Sequence, residues 1–186
     1  MLEGQLVRLR AVEPADLERV YTWINDREVT RYLTARYPMS HVDEERWIQK
    51  ASTSTFGLGV TLAIETKAGD HIGNIDLHRS HPEDRKCGLG IMLGDKERWS
   101  QGFGTDAMVT LLRFAFHEMN LHRVWLTVHQ DNDRAMACYR KCGFVEEARQ
   151  RQDIYTQGRY LDLIFMGVLR DDFEALHGAA RGGSDA

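Results

Sequence analysis

The sequence predicts a mixed α+β (α/β mixed) fold: a twisted, mainly antiparallel sheet of about seven strands flanked by about four helices. Three observations carry this. Apolar and polar residues alternate over several strand-length runs, and two pairs of these runs are joined by short polar turns that make hairpins. Between them lie longer segments whose apolar residues recur at helical spacing. The resulting order is strand, two helices, three strands, helix, strand, helix, two strands, with a single strand–helix–strand–helix unit.

Gln5 to Ala11 alternates as a strand, with Leu6, Val7 and Leu9 around Arg8. Pro14 opens a helix in which Leu17, Val20, Tyr21 and Ile24 share a stripe. Val29 to Pro38 is an irregular connection. Ser40 caps a helix running to about Ser52, with Asp43, Glu44 and Glu45 placed well in its first turn. Val60–Thr66 and His71–Arg79 form a hairpin through the turn Lys67-Ala68-Gly69-Asp70. Lys86–Leu93 is a third strand, where Gly88 and Gly90 predict a bulge or a closely approaching ligand. A helix then carries Met108, Leu111, Leu112, Ala115 and Met119 on one side. Arg123–Val128 is a strand and Asn132–Lys141 a helix ended by Gly143. Val145–Tyr155 and Tyr160–Leu169 close the sequence as a second hairpin through Thr156 to Arg159. The prediction is one domain over residues 1–177, with a small, polar, disordered tail at 178–186.

At 186 residues, with 42% hydrophobic and 28% charged residues, the chain has the composition of a soluble globular domain. It has no apolar run of membrane-spanning length, and residues 1–5 lack a signal peptide's basic and apolar regions, so the expected compartment is the cytoplasm. The net charge of −4 argues against nucleic acid as a partner. Three cysteines (Cys87, Cys138, Cys142) make no disulfide framework. Cys138 and Cys142 share a helix face but lack a partner set for zinc, and His78-x-x-His81 reads as a loop pair, so no metal is expected.

The stretch Trp99-Ser100-Gln101-Gly102-Phe103-Gly104-Thr105-Asp106-Ala107 is a glycine-punctuated loop entering a helix, a junction suited to phosphate. It has three readings: a dinucleotide pyrophosphate, the pyrophosphate of coenzyme A, or an ordinary cap. Gly102 to Ala107 satisfies the dinucleotide pattern G-x-G-x-x-[GA], but the preceding strand ends roughly eight residues too early and hairpins surround the unit. The P-loop lacks its Gly-Lys-Ser/Thr.

Several segments in order carry a resemblance. They are Leu9-Arg10 with Asp16-Leu17, Ile72-Gly73, Gly90-Ile91-Met92-Leu93, Trp99 to Ala107, Asn132-x-x-Ala135-x-x-x-Tyr139-x-Lys141-x-Gly143-Phe144, and Gly158 with Tyr160-x-Asp162. Across residues 5–170 the chain resembles the GNAT superfamily of acetyl-CoA-dependent N-acetyltransferases, nearest its RimJ/RimL-type branch, which includes spermidine acetyltransferase-like members. The resemblance implies the GNAT fold and acetyl-CoA as cosubstrate. It implies that Met92, Leu93 and Gly94 offer backbone groups to the pantetheine arm. It also implies that Trp99, Ser100, Gln101, Gly102, Phe103, Gly104 and Thr105 cradle the pyrophosphate. Asn132 would bond the pantetheine amides, Tyr139 would sit near the sulfur, and Lys141 either binds CoA phosphate or is solvated. Two positions depart from the general pattern: Trp99 replaces Arg or Gln, as in the RimJ/RimL branch, and Ala135 replaces a common serine.

Acetyl transfer from a thioester to an amine needs a neutral amine, a stabilised oxyanion and a protonated leaving thiolate. The backbone N–H at Leu93 is the expected oxyanion donor and Tyr139 the expected general acid. Asp76 or His78, alternate residues on one strand, is the candidate base, with a water chain as the alternative. Arg31, Tyr32 and Tyr37 are candidates for the acceptor groove, the region that shapes acceptor choice in the family. An α-amine of pKa near 8 is roughly a tenth neutral at pH 7 and lysine far less, which favours an α-amine acceptor where no strong base is evident. The expected acceptor is therefore a protein or peptide N-terminus or a small-molecule amine. Polyamines and aminoglycosides stand as alternatives, and a non-catalytic acyl-CoA sensor as the reading of another class. The late strands make a homodimer an option.

Overall fold

The computed structural model describes residues 1–53 and 59–178. Residues 179–186 of the expected tail therefore lie outside the described residues. The strands are β1 (Leu2–Glu3), β2 (Val7–Ala11), β3 (Gly59–Thr66), β4 (His71–His81), β5 (Lys86–Leu93), β6 (Arg123–His129), β7 (Val145–Thr156) and β8 (Arg159–Leu169). The helices are α1 (Leu17–Ile24), α2 (His41–Thr53), α3 (Phe103–His117), α4 (Asp133–Lys141) and α5 (Arg170–His177). The sheet order is β1-β2-β3-β4-β5-β6-β8-β7, antiparallel throughout except for the β5–β6 pair.

The described residues thus hold eight strands and five helices, against about seven and four expected. β1 and α5 are the additions. β1 has two residues and pairs only through Leu2 and Glu3. The strand expected from Gln5 begins at Val7, because Gly4 N–H bonds the Val7 carbonyl and closes a turn first. That turn is pinned from across the chain. The Asp106 carboxylate accepts the backbone N–H groups of Gln5, Leu6 and Val7 at 3.0, 2.7 and 2.9 Å. The helix expected at Pro14 starts as a 3-10 turn over Pro14–Asp16 before α1. Ser40 Oγ accepts Asp43 N–H at 3.1 Å, as a cap should.

Alternation along the strands makes two cores. Ile75 and Leu77 of β4, Leu89 of β5 and Val124, Leu126 and Val128 of β6 face α3 together with Met108, Leu111, Leu112, Ala115 and Phe116. Ala63 and the partly buried Met92 and Trp99 face the other way, toward Val20, Trp23, Val29 and Ile48 of the α1–α2 region. Trp47 of α2 is 37% exposed. β7 is a sheet edge, exposed along most of its length.

The feature that positions the site is a fork. β5 and β6 pair in parallel only at Lys86–Arg123, Cys87–Val124 and Gly88–Trp125. Beyond Gly88 they separate, so Leu89 to Leu93 keeps a neighbour on the β4 side alone. Parallel strands with an unfilled gap leave backbone donors and acceptors that something else must satisfy.

Candidate active site at the β5–β6 fork

Which β5 groups face the gap follows from register. Gly94 N–H donates to the Ile72 carbonyl at 3.0 Å, and the ladder continues as Gly73–Leu93, Asn74–Met92 and Ile75–Ile91. Antiparallel pairs alternate between bonded and non-bonded. The backbone groups of Met92 and Gly94 therefore turn toward β4, and those of Leu89, Ile91 and Leu93 toward the fork. This corrects the expectation that Met92 and Gly94 offer free backbone groups. Gly94 has a packing role instead: a Cβ there would lie 1.9 Å from the Trp23 ring. Leu93 is half free, because its carbonyl accepts the Trp99 indole N–H at 2.9 Å. Its N–H stays directed into the fork, joined by the groups of Ile91, which the sequence reading omitted.

Trp99 itself is thus a brace for the end of β5 rather than a loop residue turned to a ligand. The Arg134 guanidinium lies 3.8 Å from its ring centroid, which brings a cation beside the loop that sequence did not flag. After Trp99 the backbone turns through positive φ at Ser100 (59°) and at Gly102 (90°), and Gly102 is the N-cap of α3 without a side-chain cap bond. Gly102 suits this left-handed turn because it has no Cβ. The first N–H groups of α3, from Phe103 to Thr105, therefore have no capping side chain, which makes an anion-binding concavity. The Gln101 side chain donates to the Glu97 carbonyl and fixes the loop's approach. Gly104 lets the helix start settle on β5: a Cβ there would meet Leu93 Cδ1 at 3.3 Å and Ile91 Cδ1 at 4.0 Å.

α4 lies on the same face. Its N-cap Asn132 spends its side-chain oxygen on Ala135 N–H at 3.2 Å, so that atom is occupied by the helix. Thr105 Oγ1 is 3.3 Å from Cys138 Sγ, and Cys142 Sγ is 3.8 Å from the Thr105 carbonyl. These contacts join the loop to α4 and explain the shared face of the two cysteines. The bond to Cys138, together with burial, pushes Cys142 up, so it stays a thiol. Tyr139 is half-buried and packs by Phe144, ring centroids 6.1 Å apart. Burial, reinforced by Cys138 and Cys142, pushes its phenol up, so it holds its proton. Lys141 is exposed and makes no ion pair among the described residues.

The opposite face carries the second cluster. Asp76 Oδ2 is 2.6 Å from His78 Nδ1. Gly88 and Gly90 explain why both fit: a Cβ on Gly90 would lie 2.5 Å from Asp76 Oδ1, and one on Gly88 2.6 Å from His78 Nε2. The expected bulge or ligand at these glycines is thus a close approach by β4 side chains, and the register shift falls on β4 between His78 and His81. Trp125, last partner of Gly88 before the fork, stands edge-on to His78 at 5.9 Å.

Farther along this face, Tyr32 meets His129 edge-on at 5.7 Å and its hydroxyl donates to the Asp131 carbonyl at 3.2 Å. Arg31 is 3.5 Å from Asp131. Both sit over the end of β6. Tyr37 is 85% exposed. Among the described residues no group of three or more His, Cys, Asp or Glu side chains is arranged to hold a metal, and no helix is long and apolar enough to cross a membrane.

Comparison with known proteins bears directly on this arrangement. The model of the acetyltransferase (GNAT) domain family matches residues 7–145. A Bacillus subtilis (strain 168) protein provisionally named a ribosomal N-acetyltransferase, YdaF, is 27% identical over 176 residues, covering 90% of this chain and 93% of the relative. The spermidine N(1)-acetyltransferase of Vibrio cholerae is 26% identical over 170 residues, covering 89% and 94% of the two chains. A crystal structure of the V. cholerae spermidine N-acetyltransferase with CoA and spermine superposes with a TM-score of 0.82 at 26% identity, covering 91% of this chain and 99% of that one.

Proposed function

The chain belongs to the GNAT acetyltransferase family and is an N-acetyltransferase, and from that premise we propose direct acetyl transfer from acetyl-CoA to a primary amine. The acceptor in this reading is a protein or peptide N-terminus or a small-molecule amine. One observation carries the proposal. The fork opens between the two faces of the sheet, with Tyr139 on the α3–α4 side and the Asp76–His78 pair on the α1–α2 side. A donor held on one face and an acceptor on the other meet in that gap. The relative crystallised with CoA supports the choice of donor.

The described residues suit such a donor. The uncapped start of α3 and the turn at Ser100–Gly102 would take the pyrophosphate, with Arg134 adding charge at the rim. The open backbone groups of Ile91 would pair with a pantetheine amide as an added strand does, leaving the Leu93 N–H for the thioester oxygen. In the reaction the amine nitrogen attacks the thioester carbonyl carbon. Leu93 N–H donates to the oxygen as negative charge builds on it. His78, oriented through Nδ1–H to Asp76, accepts the amine proton at Nε2. The carbon–sulfur bond then breaks, and Tyr139 gives its proton to the departing thiolate. Tyr139 recovers a proton from solvent and His78 releases the amine proton to it, which resets both groups.

A polyamine acceptor is the second reading, favoured by the spermidine acetyltransferases among the relatives. Thiol release with acetyl-CoA across N-terminal peptides, amino acids, spermidine and aminoglycosides tests the proposal. Amine-dependent release is expected; tight CoA binding with no release in any mixture would mean a sensor, and the catalytic reading would fall.

A further inference from the structure

The end of β6 on the acceptor face has an uneven charge balance. Asp131 is shared by two arginines: Arg159 reaches Oδ2 at 2.8 Å and Arg31 the same oxygen at 3.5 Å. The third arginine, Arg36, is exposed and makes no ion pair among the described residues. It lies close enough to His129 to add to burial in holding that imidazole low. The acidic residues of the preceding segment do not offset these cations. Asp26 and Glu28 are both committed to Lys96, each at 2.9 Å. Among the described residues, Arg31, Arg36 and Arg159 thus stand with Asp131 around the place where Tyr32 closes over His129.

The segment carrying two of these cations is held in position. The Tyr32 hydroxyl anchors it to the Asp131 carbonyl, and the Arg31 guanidinium lies 5.0 Å from the Tyr32 ring centroid. Its charges face the same side of the sheet as Asp76, His78 and Trp125, since His129, Thr127 and Trp125 alternate onto that side. An amine that approached the fork along this face would pass these arginines.

We infer that the preferred acceptor is the amino terminus of an acidic peptide or protein segment, its carboxylates facing Arg31, Arg36 and Arg159 while its α-amine reaches the Asp76–His78 pair. This rests on the acetyltransferase reading above and narrows its acceptor. A polycation such as spermidine would bring like charge to like. Arginine suits the task because its fork of donors matches carboxylates.

The test is acetyl transfer by the full chain to three peptides of equal length and identical first residue. Their next three residues are all Asp, all Gln or all Lys; spermidine is the fourth acceptor. At low ionic strength the Asp peptide should exceed the Gln peptide in kcat/KM by roughly three- to tenfold, with the Lys peptide and spermidine below both. High salt should compress the series. The double variant Arg31→Glu, Arg36→Glu should reverse the order of the Asp and Lys peptides. A preference for spermidine or the Lys peptide, or a ranking indifferent to charge and salt, overturns the inference. Turnover of the Gln peptide in that case leaves the acetyltransferase proposal standing. Failure of all four acceptors to release thiol overturns both.

Discussion

In the proposed reaction the two faces of the sheet offer their ligands different kinds of group. On the α3–α4 side the offered groups are mainly backbone: the N–H groups at the start of α3 and the open edge of β5 at Ile91 and Leu93. On the α1–α2 side they are side chains: the Asp76–His78 pair, Trp125, Tyr32 and the arginines around Asp131. Backbone recognition suits a donor whose amides and phosphates are the same in every turnover. Side-chain recognition can change with single substitutions while the fold stays intact, which is what acceptor choice requires.

This contrast gives a graded set of perturbations. The largest effect is expected at Tyr139. Tyr139→Phe should lower kcat about 100-fold with little change in the KM for acetyl-CoA, measured by steady-state thiol release. Unchanged turnover across the pH range would remove it as the acid. Next comes Gly94→Ala, whose new methyl would enter the Trp23 ring space and should cost about 1–3 kcal/mol in denaturant unfolding. An unshifted midpoint would mean that β5 and α1 are less tightly packed than described.

A smaller, more local effect is expected at Gly90→Ala. The nearest atom to the added Cβ is the Asp76 carboxylate at 2.5 Å, at the far end of a side chain. Asp76 should yield, the fold should persist, and kcat/KM should fall about tenfold as His78 loses its orientation. The same loss in an Asp76→Asn variant, without additivity in the double variant, would tie both to one pair.

The smallest effect is on stability against pH, at the buried cluster under α1. Burial lowers His71 from 6.5, with Asp16 opposing. Asp16 is also depressed, its burial being outweighed by Arg10 and the Glu13 N–H. For His71 the unfolded chain binds the proton more readily, so folding stability drops as pH falls below about 6.5. For Asp16 stability is present above its ordinary carboxylate value and is lost as pH falls through the depressed one. Both act in the same direction, so the melting temperature should decline on acidification from neutrality and again in strong acid. A rise between pH 7 and 5 would contradict the His71 assignment, and a rise below the ordinary carboxylate range would contradict that of Asp16.

The sequence was legible where recognition is contiguous. The loop from Trp99 to Ala107 presents its glycines within a few residues of one another, and the limits of β5, Lys86–Leu93, are those expected. Asp76 and His78 were readable as a pair because alternate strand residues share a face. Partners distant in sequence were not. Asp106 stands in the first turn of α3, yet it holds three backbone N–H groups about a hundred positions away. Gly94 is expected to offer its backbone to the pantetheine arm, but Trp23 fills the space above it. β1 escaped because two residues carry no period, and α5 because Phe173 is the buried residue of its eight. Orientation along β5 is not legible for Met92 and Gly94, because the pairing with β4, including the Ile72–Gly94 bond, sets which parity faces the fork.

That parity is the central claim, and amide chemical shifts on titration with acetyl-CoA test it directly. The predicted result is that Leu89, Ile91 and Leu93, together with the loop from Gln101 to Thr105, show the largest changes, while Met92 and Gly94 move less than their neighbours. Changes concentrated on Met92 and Gly94, or confined to the α1–α2 side around Asp76 and Tyr32, would contradict it.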